Sequence, residues 1–375
     1  MNFDYTDDQK ALKDEARKFL SACSPLTVVR SVLENPGEGH DPSLWARIGE
    51  QGWCGAAIPE IYGGLGLGYV ELCALAEELG RAVSPVPFAS SIYLFAEALL
   101  LTGSEEQKSA LLPLVASGEL IGTVAAWEGA GVLTEAAVSA RVVDGKLSGV
   151  KLPVTDGLEA HRAVVLAIGD TGPGLFLVDL TGPGVTREMV STIDPTRGAA
   201  RLSFDGAPAE RLGNEGNGLE QLLRIHDRAA ILIAFEQLGG AGRALEMARD
   251  YALERYAFGR QIGSYQAIKH KLADVFVRNE VARANAYYAA WALSSDAPEL
   301  PLAAAAARVA ASAAYWLASK ENIQTHGGIG FTWEADCHFF YRRARHLALV
   351  LGAPRVWKRR LADQLELRLE QEQAA

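Results

Sequence analysis

The chain has 375 residues, 49% hydrophobic and 22% charged, a globular composition with room for two or three domains that excludes a peptide hormone or a disordered tail. Its 36 basic against 46 acidic residues give a formal net charge of -10, which disfavours nucleic acid and acidic membranes as partners. Four cysteines, Cys23, Cys54, Cys73 and Cys337, lack CxxC spacing and a histidine cluster, so neither a zinc site nor a disulfide framework is expected; with an acid-rich start and no stretch of membrane-spanning length, the expectation is a soluble, cytoplasmic protein.

In chain order, the first zone is 1–120. There TDDQKALKDEARKFL, DPSLWARIGEQGW, YVELCALAEELGRA and EEQKSALLPLVASG each repeat apolar residues at three and four positions, which predicts helices. Thr6 before Asp7 and Asp8, and Asp41 before Pro42, have the chemistry of helix starts. Across 121–215 short β-type runs follow (IGTVAAW, SARVV, KLSGVKLPV, AVVLAI, GLFLVDL, ARLSF), separated by Gly, Pro and Asp, which predicts a middle β domain. Asp144-Gly145 is a hairpin signal, and GDTGPG and TGPG are turn chemistry. From 216 to 375 long Ala- and Arg-rich helical patterns return, predicting a C-terminal helical domain.

Three stretches could carry chemistry. PEIYGGLGLGYVELCALAEELGR (59–81) is a glycine-rich turn feeding a helix, without a Walker lysine, and reads first as a structural turn. ERYAFGRQIGSYQAIKHKLAD (254–274) places Arg255 and Arg260 around Phe258-Gly259, with Gln266 on the next helix. Guanidinium forks beside a helix N-terminus suit a diphosphate, although arginines at a helix C-terminus also complement its dipole. ENIQTHGGIGFTWEADCHFFYRRAR (321–345) runs a helix into Gly327-Gly328, leaving room for a planar ligand beside the Gln324 amide, or simply stopping a helix with His326 packed beneath. The remaining histidines have no ligand spacing, so no metal is expected.

In this order, and with a strand-rich zone between the first two, these stretches resemble the acyl-CoA dehydrogenase family over nearly the whole chain. The resemblance implies an α+β multi-domain fold: an N-terminal helical domain, a middle β-barrel or sheet domain and a C-terminal four-helix bundle. It also implies FAD as cofactor, oxidation of an acyl-CoA substrate to the 2,3-enoyl-CoA, and an electron-transferring flavoprotein as acceptor. In the family each FAD lies across a dimer interface, its flavin on one chain's β domain and its ADP portion on the neighbour's C-terminal domain. Carried over, Arg255, Phe258 and Gln266 match the set at the diphosphate and adenosine, and Gln324, Gly327 and Gly328 match the Q-x-x-G-G set completing that side.

The flavin side departs from the family pattern. Where a threonine-glutamate-proline segment closing on Gly-Ser-Asp is usual, the chain has AAWEGAGVLTEAA (125–137); where tryptophan-isoleucine-threonine is usual, it has KLPVTDG (151–157), with Trp127 and Thr155 as the available substitutes. The glutamate base that removes a proton alpha to the thioester, opposite the flavin, is also missing. The position usual for it holds Leu351, followed by Gly352 and Ala353, and the position used by a minority branch holds Ala229. Asp227 points roughly 200 degrees from Ala229 around a helix, and Glu236 returns to that face about 10 Å along the axis. An ADP half without a base resembles one subunit of the family's α2β2 branch, found among enzymes acting on steroid side-chain CoA thioesters. That implies a second acyl-CoA dehydrogenase subunit as partner. Three alternatives stay open: a self-sufficient homotetramer using Asp227 or Glu236, a related flavin monooxygenase or oxidase, and a non-enzymatic scaffold or regulatory homologue binding no flavin, against which the retained ADP-side residues argue.

Overall fold

The computed structural model describes residues 5–374 apart from 36, 38 and 214–216, so the expected boundary at 215–216 lies outside the described residues. The chain begins with α1 (Asp7–Cys23), α2 (Leu26–Glu34), α3 (Pro42–Glu50), α4 (Tyr69–Arg81), α5 (Glu97–Thr102) and α6 (Glu105–Ala116); a π-helical stretch, Ala89–Ala96, runs directly into α5. Strands follow: β1 (Gly122–Ala125), β2 (Arg141–Val143), β3 (Lys146–Thr155), β4 (Arg162–Gly169), β5 (Gly172–Asp179), β6 (Val185–Met189) and β7 (Ala199–Arg211). After α7 (Gly218–Glu254) and the hairpin β8 (Tyr256–Ala257) and β9 (Arg260–Gln261) come α8 (Gln266–Ser294), α9 (Leu300–His326), α10 (Cys337–Leu349) and α11 (Pro354–Ala374).

Local chemistry explains the boundaries. The Thr6 side chain accepts from Gln9 N while the Gln9 side chain accepts from Thr6 N, and Asp41 accepts from Leu44 N with Pro42 opening the turn. Asp144 and Gly145, with φ of 49 and 69, form the two-residue turn that joins β2 to β3. Three elements escape the sequence patterns. α2 is rich in β-branched residues, β6 is a short polar strand with no buried face, and the π-helical stretch is apolar all round and wholly buried, so it has no periodic polar face.

Packing gathers the chain into two compact units, the first Met1–Val29, Cys73–Ser84 and Ala230–Ala375, the second Arg30–Leu72 and Pro85–Ala229. In the second, strands run β4-β2-β3-β7-β5 and β5 pairs back to β4, a barrel-like closure, with β1 parallel on β4 and β6 on β7. Closure gives each of the five ring strands a partner on both sides and buries Val164, Val165, Leu166 and Leu175. The glycine-rich turn of this unit closes on itself: Leu65 N, Gly66 N and Leu67 N donate to the carbonyls of Gly55, Ile58 and Ala56.

The first unit is helical. α4 and α7 cross at Gly80 and Gly239, where an added Cβ would collide with the carbonyl oxygens of Glu236 and Glu77 respectively. A Cβ at Gly240 would strike the Tyr315 ring, while at Gly242 it would meet open space. Gly239 and Gly240 therefore serve close helix packing. Gly239→Ala is expected to cost about 2 kcal/mol, read as a lower urea midpoint with an unchanged slope, because the methyl must push back a buried backbone. The stretch Leu300–Phe331 is long and apolar enough to cross a membrane by length and composition, which corrects the expectation that no segment reaches that length. Its alanines pack inside the unit, among them Ala304, Ala307, Ala311 and Ala314, and the mid-helix Arg308 is 1% exposed. Burial pushes that guanidinium down to about 9, partly offset by Glu236.

Candidate functional site

The residues expected on the ADP side gather at one end of the first unit. α7 stops at Glu254, and Arg255 N donates to Tyr251 O at 2.8 Å as the chain turns into β8. Tyr256 pairs with Gln261 and Ala257 with Arg260, which leaves Phe258 and Gly259 alone in the turn. Their φ values, 52 and 81, are both left-handed, where Asn, Asp or Gly is usual at the first position. A bulky residue there costs about 1–2 kcal/mol, yet Phe258 is 97% exposed and so recovers no burial. Strain joined to an exposed ring is the kind of outlier that clusters at ligand-binding surfaces. Below the turn, Tyr265 OH donates to Ala257 O at 3.0 Å, and its ring lies 3.9 Å from the Arg260 guanidinium. Arg255 is exposed and makes no ion pair among the described residues. Gln266 opens α8, whose cap residue Tyr265 supplies no side-chain bond, so the first N–H groups stay available to an anion.

The other strip lies at the end of α9. Gln324 is exposed, and Gly327 turns the chain with φ 64. An added Cβ at either Gly327 or Gly328 would meet nothing within 4 Å. Gly328 has neither a left-handed backbone nor a close neighbour to require glycine, so its missing side chain leaves space outside the fold. The His326 ring stacks on Tyr251 with centroids 4.2 Å apart, and Lys271 of α8 pairs with Glu321 of α9 at 3.2 Å. These contacts bring Arg255, Phe258, Gln266, Gln324, Gly327 and Gly328 to one end of α7, α8 and α9. A free guanidinium, open backbone N–H groups, an exposed ring and glycines with room above them fit the diphosphate and purine of a dinucleotide.

In the second unit, the residues opposite the family's flavin contacts bind each other. Leu152 N donates to Trp127 O and Gly129 N to Leu152 O, both at 2.8 Å, zipping β3 onto the AAWEG segment. Lys151 Nζ, wholly buried, donates to Glu128 Oε1 at 2.7 Å and to Ala126 O at 3.2 Å. Glu128 also accepts from the N–H groups of Ser139 and Ala140 at 2.9 and 3.0 Å and from the Ser139 hydroxyl. Burial opposes its charge, but the bonds from Lys151, Ser139 and Ala140 together outweigh burial and hold its carboxyl at about 2. Burial also pushes the Lys151 ammonium below its usual range, with Glu128 restoring part of the loss. The Trp127 ring stacks on His226 at 5.3 Å and 6°, and the Thr155 carbonyl accepts from Thr123 Oγ1 at 2.7 Å. Sequence reasoning singled out Trp127 and Thr155 but missed Glu128, Lys151 and His226. The signal was present in β3, where Lys151 shares the inward parity of Leu147, and a lysine on a buried face calls for a carboxylate.

The residues at the family's base positions, and the two carboxylates weighed as substitutes, are buried. Ala229 and Leu351 are 0% and 3% exposed, and Asp227 and Glu236 are each 2% exposed. Glu236 pairs with Arg343 at 3.3 Å, and Arg343 also donates to the carbonyls of Val83 and Ser84 at 3.4 Å, beyond the end of α4. That carboxylate neutralises a buried guanidinium that caps a helix end. Asp227 is not free either.

Comparison with known proteins agrees with this fold. Residues 6–119 match the acyl-CoA dehydrogenase N-terminal domain and residues 216–366 the acyl-CoA dehydrogenase C-terminal domain. The acyl-CoA dehydrogenase IpdE2 of Mycobacterium tuberculosis is 33% identical over 360 residues, 96% of this chain and 98% of that protein. A structure of the Tcur3481-Tcur3483 steroid ACAD, solved as a single-substitution variant, superposes with a TM-score of 0.87 at 32% identity, covering 97% of this chain and 99% of that one. The ChsE4-ChsE5 complex from Mycobacterium tuberculosis gives a TM-score of 0.88 at 28% identity, covering 98% and 99%. The chain belongs to the acyl-CoA dehydrogenase family, whose members are FAD flavoproteins.

Proposed function

We propose that this chain is the subunit of a heteromeric acyl-CoA dehydrogenase that completes the ADP side of FAD, while a second acyl-CoA dehydrogenase subunit supplies the flavin contacts and the base. The observation that carries the reading is a contrast within one chain: Arg255 stands exposed and makes no ion pair among the described residues, whereas Glu128 is engaged by Lys151, Ser139 and Ala140. The apolar, buried Ala229 and Leu351 support placing the base on the partner. FAD, when bound, supplies the acceptor for the hydride leaving the acyl β-carbon. This chain's part is to hold the diphosphate through Arg255 and the α8 N–H groups, and to receive the adenosine between Phe258 and the Gly327-Gly328 turn.

The relatives named as a steroid ACAD and as a two-component complex favour a bulky CoA thioester as substrate and a two-chain assembly. An electron-transferring flavoprotein is the acceptor we assign, and the cytoplasm the compartment. The deciding experiment counts FAD per chain by flavin absorbance and measures acyl-CoA turnover, for the chain alone and after co-expression with an acyl-CoA dehydrogenase homologue encoded beside it. The expected result is a colourless, inactive chain that yields an active α2β2 complex with about one FAD per pair. A yellow, active homo-oligomer would overturn the reading.

A further inference from the structure

We infer that Tyr251 and His326 are positioning residues that hold the two strips of the ADP cradle in register. The inference rests on the ADP-side reading above. Arg255 and the Gly327-Gly328 turn are distant in sequence, and a diphosphate gripped by one and an adenosine covered by the other require their spacing to be fixed within a fraction of an ångström. Tyr251 lies one helical turn before Arg255, and its carbonyl accepts the Arg255 N–H at 2.8 Å. His326 immediately precedes Gly327. Their rings stack at 4.2 Å with a 25° interplanar angle, so one aromatic contact joins the last turn of α7 to the last turn of α9.

The imidazole is itself held, because its Nδ1 donates to Asn322 O at 2.8 Å, which fixes the ring plane against α9. The turn beyond folds over it: an added Cβ at Gly330 would come within 3.0 Å of the His326 Cβ. Both rings are half-buried at the rim rather than sunk in the core. An aromatic pair of this kind contributes little for a chain of this size but enough to hold one surface turn. Lys271 and Glu321 make the matching tie between α8 and α9, at 3.2 Å, so the end of α9 is the hub to which the Arg255 hairpin and the Gln266 helix are both fastened.

The test is calorimetric titration of ADP into the purified full chain, in the assembly in which it purifies. Tyr251→Leu and His326→Ala are each expected to weaken ADP about three- to tenfold, Tyr251→Phe to stay within twofold of wild type, and the double variant to lose no more than the larger single loss. Thermal midpoints should move little, because a surface stack is removed and no core group. ADP binding by Tyr251→Leu at wild-type strength would overturn the positioning role, as would an equal loss in Tyr251→Phe, which keeps the stack. A wild-type protein that fails to bind ADP would instead overturn the ADP-side reading itself.

Discussion

Replacing Lys151 with methionine is expected to destabilise the chain by about 3–5 kcal/mol, read as the shift in urea unfolding free energy at neutral pH. The size comes from what is left behind. The Glu128 carboxylate is one-tenth exposed and would lose the ammonium at 2.7 Å while keeping its charge in a desolvated place. Burial already disfavours the charged form of Lys151, so the intact pair contributes less than the carboxylate's shift alone suggests, and stranding one partner costs more than forming the pair gains. Lys151→Met combined with Glu128→Gln should recover only part of the loss, since it removes the stranded charge but the single glutamine oxygen can accept only one of the Ser139 and Ala140 N–H groups, which reach different carboxylate oxygens. The pH dependence follows with its sign. The Glu128 carboxyl sits near 2 in the fold against an ordinary 4.5, so its contribution is fully present above 4.5 and is lost as pH falls through about 2. Between those values the unfolded chain binds more protons, and stability rises with pH. In Lys151→Met the folded carboxyl loses the part of that depression that Lys151 supplies, while Ser139 and Ala140 keep theirs, so the rise between pH 2 and 4.5 should flatten relative to wild type.

Local signals made the fold legible where chemistry and structure coincide within a few residues. Thr6 and Asp41 begin helices because their side chains reach N–H groups three residues on, and Asp144-Gly145 turns because those two residues tolerate left-handed backbone. The π-helical stretch Ala89–Ala96 was not legible, because a segment buried on every side has no polar face to set its period. The same division runs through the site. The spacing of Arg255, Phe258 and Gln266 can be read along the chain, but the stack of Tyr251 on His326 and the ion pair of Glu128 with Lys151 join residues far apart in sequence. Helix geometry could place Glu236 on the Ala229 face, yet only the fold shows Arg343 meeting it. The close packing at Gly239 and Gly240 likewise shows only in the neighbours an added Cβ would strike.

Substituting Arg255 with alanine is expected to weaken FAD binding by the assembled complex roughly 100-fold, measured as flavin retained on gel filtration and as the Kd for FAD added back to the stripped protein. A hydrogen bond to a charged group contributes about 1.5–3 kcal/mol, bidentate guanidinium contacts lie toward the upper end, and each 1.4 kcal/mol is about tenfold. Arg255 suits this test because it is exposed and makes no ion pair among the described residues, so its loss should leave the unfolding midpoint unchanged and report on the ligand alone. Arg255→Lys should restore only part of the affinity, since an ammonium keeps the charge but not the planar fork. Arg260→Ala should cost less, because that guanidinium is already engaged with the Tyr265 ring at 3.9 Å. The experiment also tests which chain does the work, since the variant leaves the partner's flavin contacts untouched. Loss of FAD from a complex with a wild-type partner requires that this chain reach across to the cofactor. Full retention would mean that the exposed end of α7, α8 and α9 grips no diphosphate, and the strained Phe258 turn would need another ligand.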